Sequence, residues 1–96
     1  MRRSAFRRRP KRDANHGEIA AALTKAGRTV VDLSGVGGGC PDALVGWSGK
    51  MLLMEFKTED GHDEDSQIEF RRWWHGTPVV IVRSVAEALA ATGVRV

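Results

Sequence analysis

The stretch PDALVGWSGKMLLMEFK, residues 41–57, constrains this chain more than any other. Two β-prone runs flank Ser48-Gly49. A two-residue turn there sets Trp47 opposite Lys50, so that paired positions sum to 97. A symmetric four-residue loop from Trp47 to Lys50 gives the same sum. Asp42 then lies opposite Glu55. Opposed residues of an antiparallel pair hold their Cβ atoms about 4.5–5.5 Å apart on one face. Alternation puts Lys57 on that face as well, and sends Met54 and Phe56 to the other. Two carboxylates so placed repel by roughly 3 kcal/mol at an effective dielectric near 20. A divalent cation between them removes the repulsion, and an oxygen-only donor set favours Mg²⁺ or Mn²⁺.

Ninety-six residues, 42% of them apolar, are expected to fold as one small domain with a modest core. The single cysteine, Cys40, rules out an internal disulfide framework and a multi-cysteine zinc site, and suits a reducing, cytoplasmic setting. No apolar run approaches the ~18 residues of a membrane span, so no membrane partner is expected. The basic N-terminus is followed by no apolar segment, which argues against a secretory signal, and it is short for a transit peptide.

The net charge of +3 conceals an asymmetry. Residues 1–12 contain seven basic residues (Arg2, Arg3, Arg7, Arg8, Arg9, Lys11 and Arg12) and no acid. Residues 13–96 carry eight Lys/Arg against twelve Asp/Glu, a balance of −4. The chain divides accordingly into a flexible basic arm, 1–12, and a folded domain, 13–96. An arm of this kind is expected to contact nucleic acid; a solubilising or subunit-contacting tail is the plainer alternative.

Asp13 or Asn15 can cap a helix reaching about Ala26, with Ile19, Ala22, Leu23 and Ala26 as its buried stripe. Thr29–Leu33 reads as a strand. Ser34–Gly39 is a Gly-rich loop without the Lys-Ser/Thr of a phosphate-binding loop. After the hairpin, 58–65 forms an acidic loop. A helix from about Asp63 or Ser66 to His75 places Gln67, Phe70 and Trp74 on one face. Of Trp73 and Trp74, one is expected in the core and the other at a dimer interface, with stacking on a base as the alternative. Val79–Arg83 reads as a fully buried, parallel strand joined to the Glu55 strand by a right-handed crossover. Ser84 caps a last helix, Val85–Thr92, and 94–96 reads as a short edge strand. His16, His62 and His75 share no ligand spacing and read as surface residues. Cys40 has no evident base. The expected class is α/β: an αβββαβ core with a mixed central sheet flanked by helices.

That order of elements, carrying Pro41-Asp42 and then Glu55-Phe56-Lys57, resembles the restriction-endonuclease-like core of the PD-(D/E)XK nuclease superfamily. Gly39-Cys40-Pro41-Asp42, Glu55-Phe56-Lys57-Thr58, Ser66-Gln67, Phe70, Gly76 and Val82-Arg83-Ser84-Val85-Ala86-Glu87-Ala88 narrow the resemblance to the virus-type replication–repair nuclease (VRR-NUC) domain in its standalone, phage-like form. The match spans about Asn15 to Ala90. Val36-Gly37-Gly38 is neutral where members often carry a basic residue, and the arm is expected to supply that phosphate contact.

The resemblance implies that Asp42, Glu55 and the backbone carbonyl of Phe56 hold Mg²⁺ or Mn²⁺, with Glu18 reaching it through water. Lys57 would hold or help deprotonate the attacking water. Gln67 would orient that water or Lys57. The residues themselves leave simpler roles open: surface carboxylates, a Lys57–Glu55 salt bridge, a helix-capping Gln67, a helix-surface Glu18. The family also implies 5′-phosphate and 3′-hydroxyl products. With little chain left for base-specific readout, the expected function is structure-selective DNA endonuclease action at four-way (Holliday) junctions by a homodimer. A flap, nicking or restriction-like nuclease is the alternative enzyme, and a nucleic-acid-binding protein using its basic arm is the alternative without activity.

Overall fold

A computed structural model describes residues 14–95. The basic arm at 1–12, the cap at Asp13 and the strand end at Val96 lie outside the described residues. The elements run α1 (Ala14–Lys25), β1 (Thr29–Asp32), β2 (Ala43–Trp47), β3 (Lys50–Phe56), α2 (Asp65–Trp73), β4 (Val79–Val82) and α3 (Val85–Ala91). The fold is α/β, an open mixed sheet in the order β1-β2-β3-β4 with three helices.

The hairpin forms as its turn chemistry dictates. Ser48 and Gly49 both have positive φ, 46° and 77°, as a type I′ turn requires. Pairs Trp47↔Lys50 through Ala43↔Met54 follow in the expected register. β1 pairs antiparallel with β2, and β4 pairs parallel with β3. One face of the sheet presents Ala43, Val45, Leu52, Met54, Phe56 and Val82 to Ile19 and Leu23 of α1 and Ala88 of α3, and these residues form the core. The two helices also pack on each other. α2 lies against the opposite face, because its Gln67 bonds to side chains of Glu55 and Lys57.

Several local expectations need correction. Asn15 is inside α1 rather than capping it. β4 is not fully buried: it is an edge strand, and only Val82 is fully enclosed. Its neighbour on the far side would have had to be a fifth strand, and none occurs among the described residues. Val94 and Arg95 form no strand. α2 ends at Trp73, two residues early, and buries no residue completely. Neither tryptophan is therefore core: Trp74 is half-buried with its indole N–H on the Thr77 carbonyl (2.7 Å), and Trp73 is 67% exposed. Ser84 caps α3 as expected, accepting from the Glu87 N–H.

Candidate active site

Asp42 sits one residue before β2. Its main-chain carbonyl accepts the Leu33 N–H at 2.8 Å, and its Oδ2 accepts the Phe56 N–H at 2.8 Å. The first bond ties Asp42 to the end of β1, the second to β3. The 97-sum register continued by one step brings it beside Glu55. Glu55 is the penultimate residue of β3, an inner strand of the sheet, and only 3% exposed.

Lys57 follows two residues later on the same face and is 8% exposed. Its Nζ donates to Gln67 Oε1 at 2.6 Å and to the His62 carbonyl at 3.1 Å. It also lies 3.8 Å from Glu55 Oε2 and 3.9 Å from Asp63 Oδ1. Gln67 joins the acid to the amine: its Nε2 donates to Glu55 Oε2 at 2.6 Å while its Oε1 accepts from Lys57. The same Oε1 accepts the Glu64 N–H at 2.8 Å, satisfying a free donor at the start of α2. Both roles assigned to Gln67 by sequence, capping and site contact, are thus filled by one amide, and only one amide orientation satisfies all three bonds.

Burial pushes the Glu55 carboxyl up to about 7, helped by the Asp42 charge and by a hydrogen bond with Asp42, against the opposing pull of Lys57. The Cys40 thiol, half-buried, is raised by burial and by Glu55 and Asp42, which makes it a poor nucleophile. Hydrogen bonding from Arg71 holds Asp63 below its ordinary range.

The structure brings Asp42, Glu55, Lys57 and Gln67 together, with Phe56 between two of them and its ring in the core. It does not bring Glu18 to them: Glu18 is exposed on α1, and no site hydrogen bond or ion pair among the described residues includes it. His16 is not a simple surface residue. It is half-buried, with its ring edge-on to Phe56 at 4.7 Å. The acidic loop reaches the site, since Asp63 and the His62 carbonyl face Lys57. Asp63 lies in the loop before α2, so no helical periodicity marks its contacts. Arg71 is bound to Asp63 (2.7 Å) and Arg72 to Glu69 (3.0 Å). A separate apolar groove of about 360 Å³ is lined by Trp73, Trp74, His75 and Gly76.

No group of three or more His, Cys, Asp or Glu residues suited to holding a metal occurs among the described residues. The available set is two carboxylates and a main-chain carbonyl. That set fits Mg²⁺ or Mn²⁺, ions commonly bound through one or two carboxylates with substrate phosphate and water completing the shell. Burial first and then Asp42 raise the Glu55 carboxyl, and a cation between the two would favour its charged form. No protein-family model, curated protein or solved structure matches the chain.

Proposed function

We propose that the protein is a Mg²⁺- or Mn²⁺-dependent DNA endonuclease that hydrolyses phosphodiester bonds in branched DNA, four-way junctions in particular. One observation carries the reading: a nearly buried Glu55 joined to Lys57 through Gln67, with Asp42 across the hairpin. Such a group is expensive to assemble for stability alone, because removing a charge from water costs several kcal/mol unless it is compensated.

Asp42, Glu55 and the Phe56 carbonyl would hold the metal. When bound, it would lower the pKa of water and stabilise charge on the scissile phosphate. Lys57 would orient the attacking water and oppose charge developing on the phosphate. Gln67 holds Lys57 and Glu55 at fixed separation, so that neither must reorganise as the reaction proceeds. The preference for branched DNA is argued from the little chain left for base-specific readout, and the homodimer from the two cuts that junction resolution needs.

The test is cleavage of four-way-junction DNA with Mg²⁺ or Mn²⁺ by Glu55→Ala and Lys57→Ala. Both are expected to lose at least ~100-fold in rate, the range for removing a positioned acid–base or electrostatic group. Cleavage retained by either purified variant sinks the assignment. Symmetric paired nicks would favour junction resolution over flap or nicking activity. The second reading is a binding protein whose Lys57–Glu55 contact, at 3.8 Å, is a structural ion pair. It predicts DNA affinity indifferent to metal.

A further inference from the structure

Two of the groups around the Lys57 amine come from outside the hairpin and α2. They are the His62 carbonyl and the Asp63 carboxylate, on the loop 58–64 between β3 and α2. This loop is short of apolar side chains, so its shape must come from polar fastenings. It has three. The Gly61 N–H bonds back to the Thr58 carbonyl at 3.0 Å. Arg71 of α2 grips Asp63. Arg83, immediately after β4, sends one guanidinium nitrogen to two loop carbonyls, Thr58 at 2.7 Å and Gly61 at 3.1 Å.

The Arg83 bonds cross more than twenty residues of chain, and their anchor is firm. The Arg83 main-chain N–H donates to Glu87 Oε1 at 2.6 Å, at the capped start of α3. Gly61, the clamped residue, lies on the Lys57 stem: a Cβ there would come 3.4 Å from Lys57 Cδ. Holding the Thr58 and Gly61 carbonyls therefore holds the strap that carries His62 and Asp63 over the amine.

We propose that Arg83 is a positioning residue for Lys57, acting through the 58–63 strap rather than on substrate. The catalytic part of this inference rests on the nuclease reading; the strap itself does not. Preorganised sites tolerate only about 0.5 Å of slack, so loss of the strap's two contacts should matter even with the Gln67 bond kept.

The experiment is residue-resolved acetylation by an amine-reactive ester, read by mass spectrometry on the full chain, with exposed Lys25 and Lys50 as internal references. Kinetics on junction DNA are measured alongside. In Arg83→Ala, Lys57 is expected to acetylate several-fold faster than in wild type with Lys25 and Lys50 unchanged. kcat should fall about tenfold with KM unchanged, as expected for a loosened catalytic group. Arg83→Lys keeps the charge but presents one ammonium, and should recover only part of the protection. Unchanged Lys57 labelling overturns the proposal. So does Lys57 acceleration matched by an equal loss of amide hydrogen-exchange protection across the core, which means general loosening, or a rise in KM with kcat intact, which means that Arg83 contacts DNA. If Arg83→Ala does not fold, Arg83→Lys decides: full protection and full kcat overturn the proposal, and partial loss supports it. Selective Lys57 exposure in a protein whose wild type cleaves no DNA would leave the strap standing and remove the nuclease reading.

Discussion

A carboxyl group that is 3% exposed and beside a second carboxylate can lower its energy by taking a proton or a cation. Glu55 takes the proton at about 7, above its ordinary 4.5, first through burial and then through Asp42. The folded form therefore binds the proton more tightly than the unfolded chain does. The resulting stabilisation is complete below about pH 4.5 and is lost as pH rises through about 7. A shift of that size corresponds to at most about 3 kcal/mol. Glu55→Gln keeps the shape and removes the titration. It is expected to melt above wild type at pH 8 without divalent cation, and to show a flatter stability curve between pH 4.5 and 8, by thermal denaturation. Mg²⁺ or Mn²⁺ should narrow the gap at pH 8 by stabilising only the wild type. A wild type insensitive to pH across that window contradicts the account. Sequence made this pairing legible because a hairpin with a two-residue turn has only one register. It did not make Asp63 legible, because an acidic loop reads as a solvated charge run and its contacts with Lys57 and Arg71 depend on how the loop folds back.

Between elements, the critical joint is that of the Gly-rich loop with α2. Gly39 has φ of 82°, and a Cβ there would fall inside the van der Waals surface of the Ser66 main-chain carbonyl. Ser66 precedes Gln67, so the loop packs against the turn of α2 that carries the acid–amine bridge. Gly39→Ala must adopt a left-handed conformation, costing about 1–2 kcal/mol, and must push α2 away. The expected result is a lower melting temperature together with faster acetylation of Lys57, since Gln67 moves with Ser66. Gly37→Ala, at φ of 82° but with open space at its Cβ, should cost only the backbone strain and leave Lys57 protected. Equal labelling in the two variants would mean that the Gly39 contact does not seat Gln67. The Gly-rich loop was legible, but the close approach of Gly39 was not, because contact between residues 39 and 66 leaves no local pattern. The helices, the hairpin register and the parallel pairing of β4 with β3 followed from periodicity, turn chemistry and the crossover, whereas the place of β1 beside β2 did not. The burial of β4 did not, because an apolar run looks the same whether one or both of its edges are paired.

At the scale of the molecule, the positive charge that could draw in nucleic acid lies apart in sequence from the candidate site. Residues 13–96 balance at −4, and the strap over Lys57 contains Glu59, Asp60 and Asp63. A surface of that sign repels phosphates at long range, so the field of the folded part does not gather nucleic acid. The seven positive charges of residues 1–12 reverse the total to +3. Removing that segment should therefore act on encounter and affinity and leave the chemistry in place. Every phosphate that the arm no longer neutralises flattens the dependence of log affinity on log salt by about 0.9, so the truncated protein should lose up to about 6 from the slope. Single-turnover cleavage at saturating DNA should stay within a few-fold of the full chain, because Asp42, Glu55, Lys57 and Gln67 are untouched. Fluorescence anisotropy across a salt series measures the first quantity, and quenched-flow cleavage the second. An unchanged slope would give the arm another role. A truncated protein that binds normally at saturation but cannot cleave would place part of the catalytic apparatus in the arm, and the division of labour between arm and site would fail.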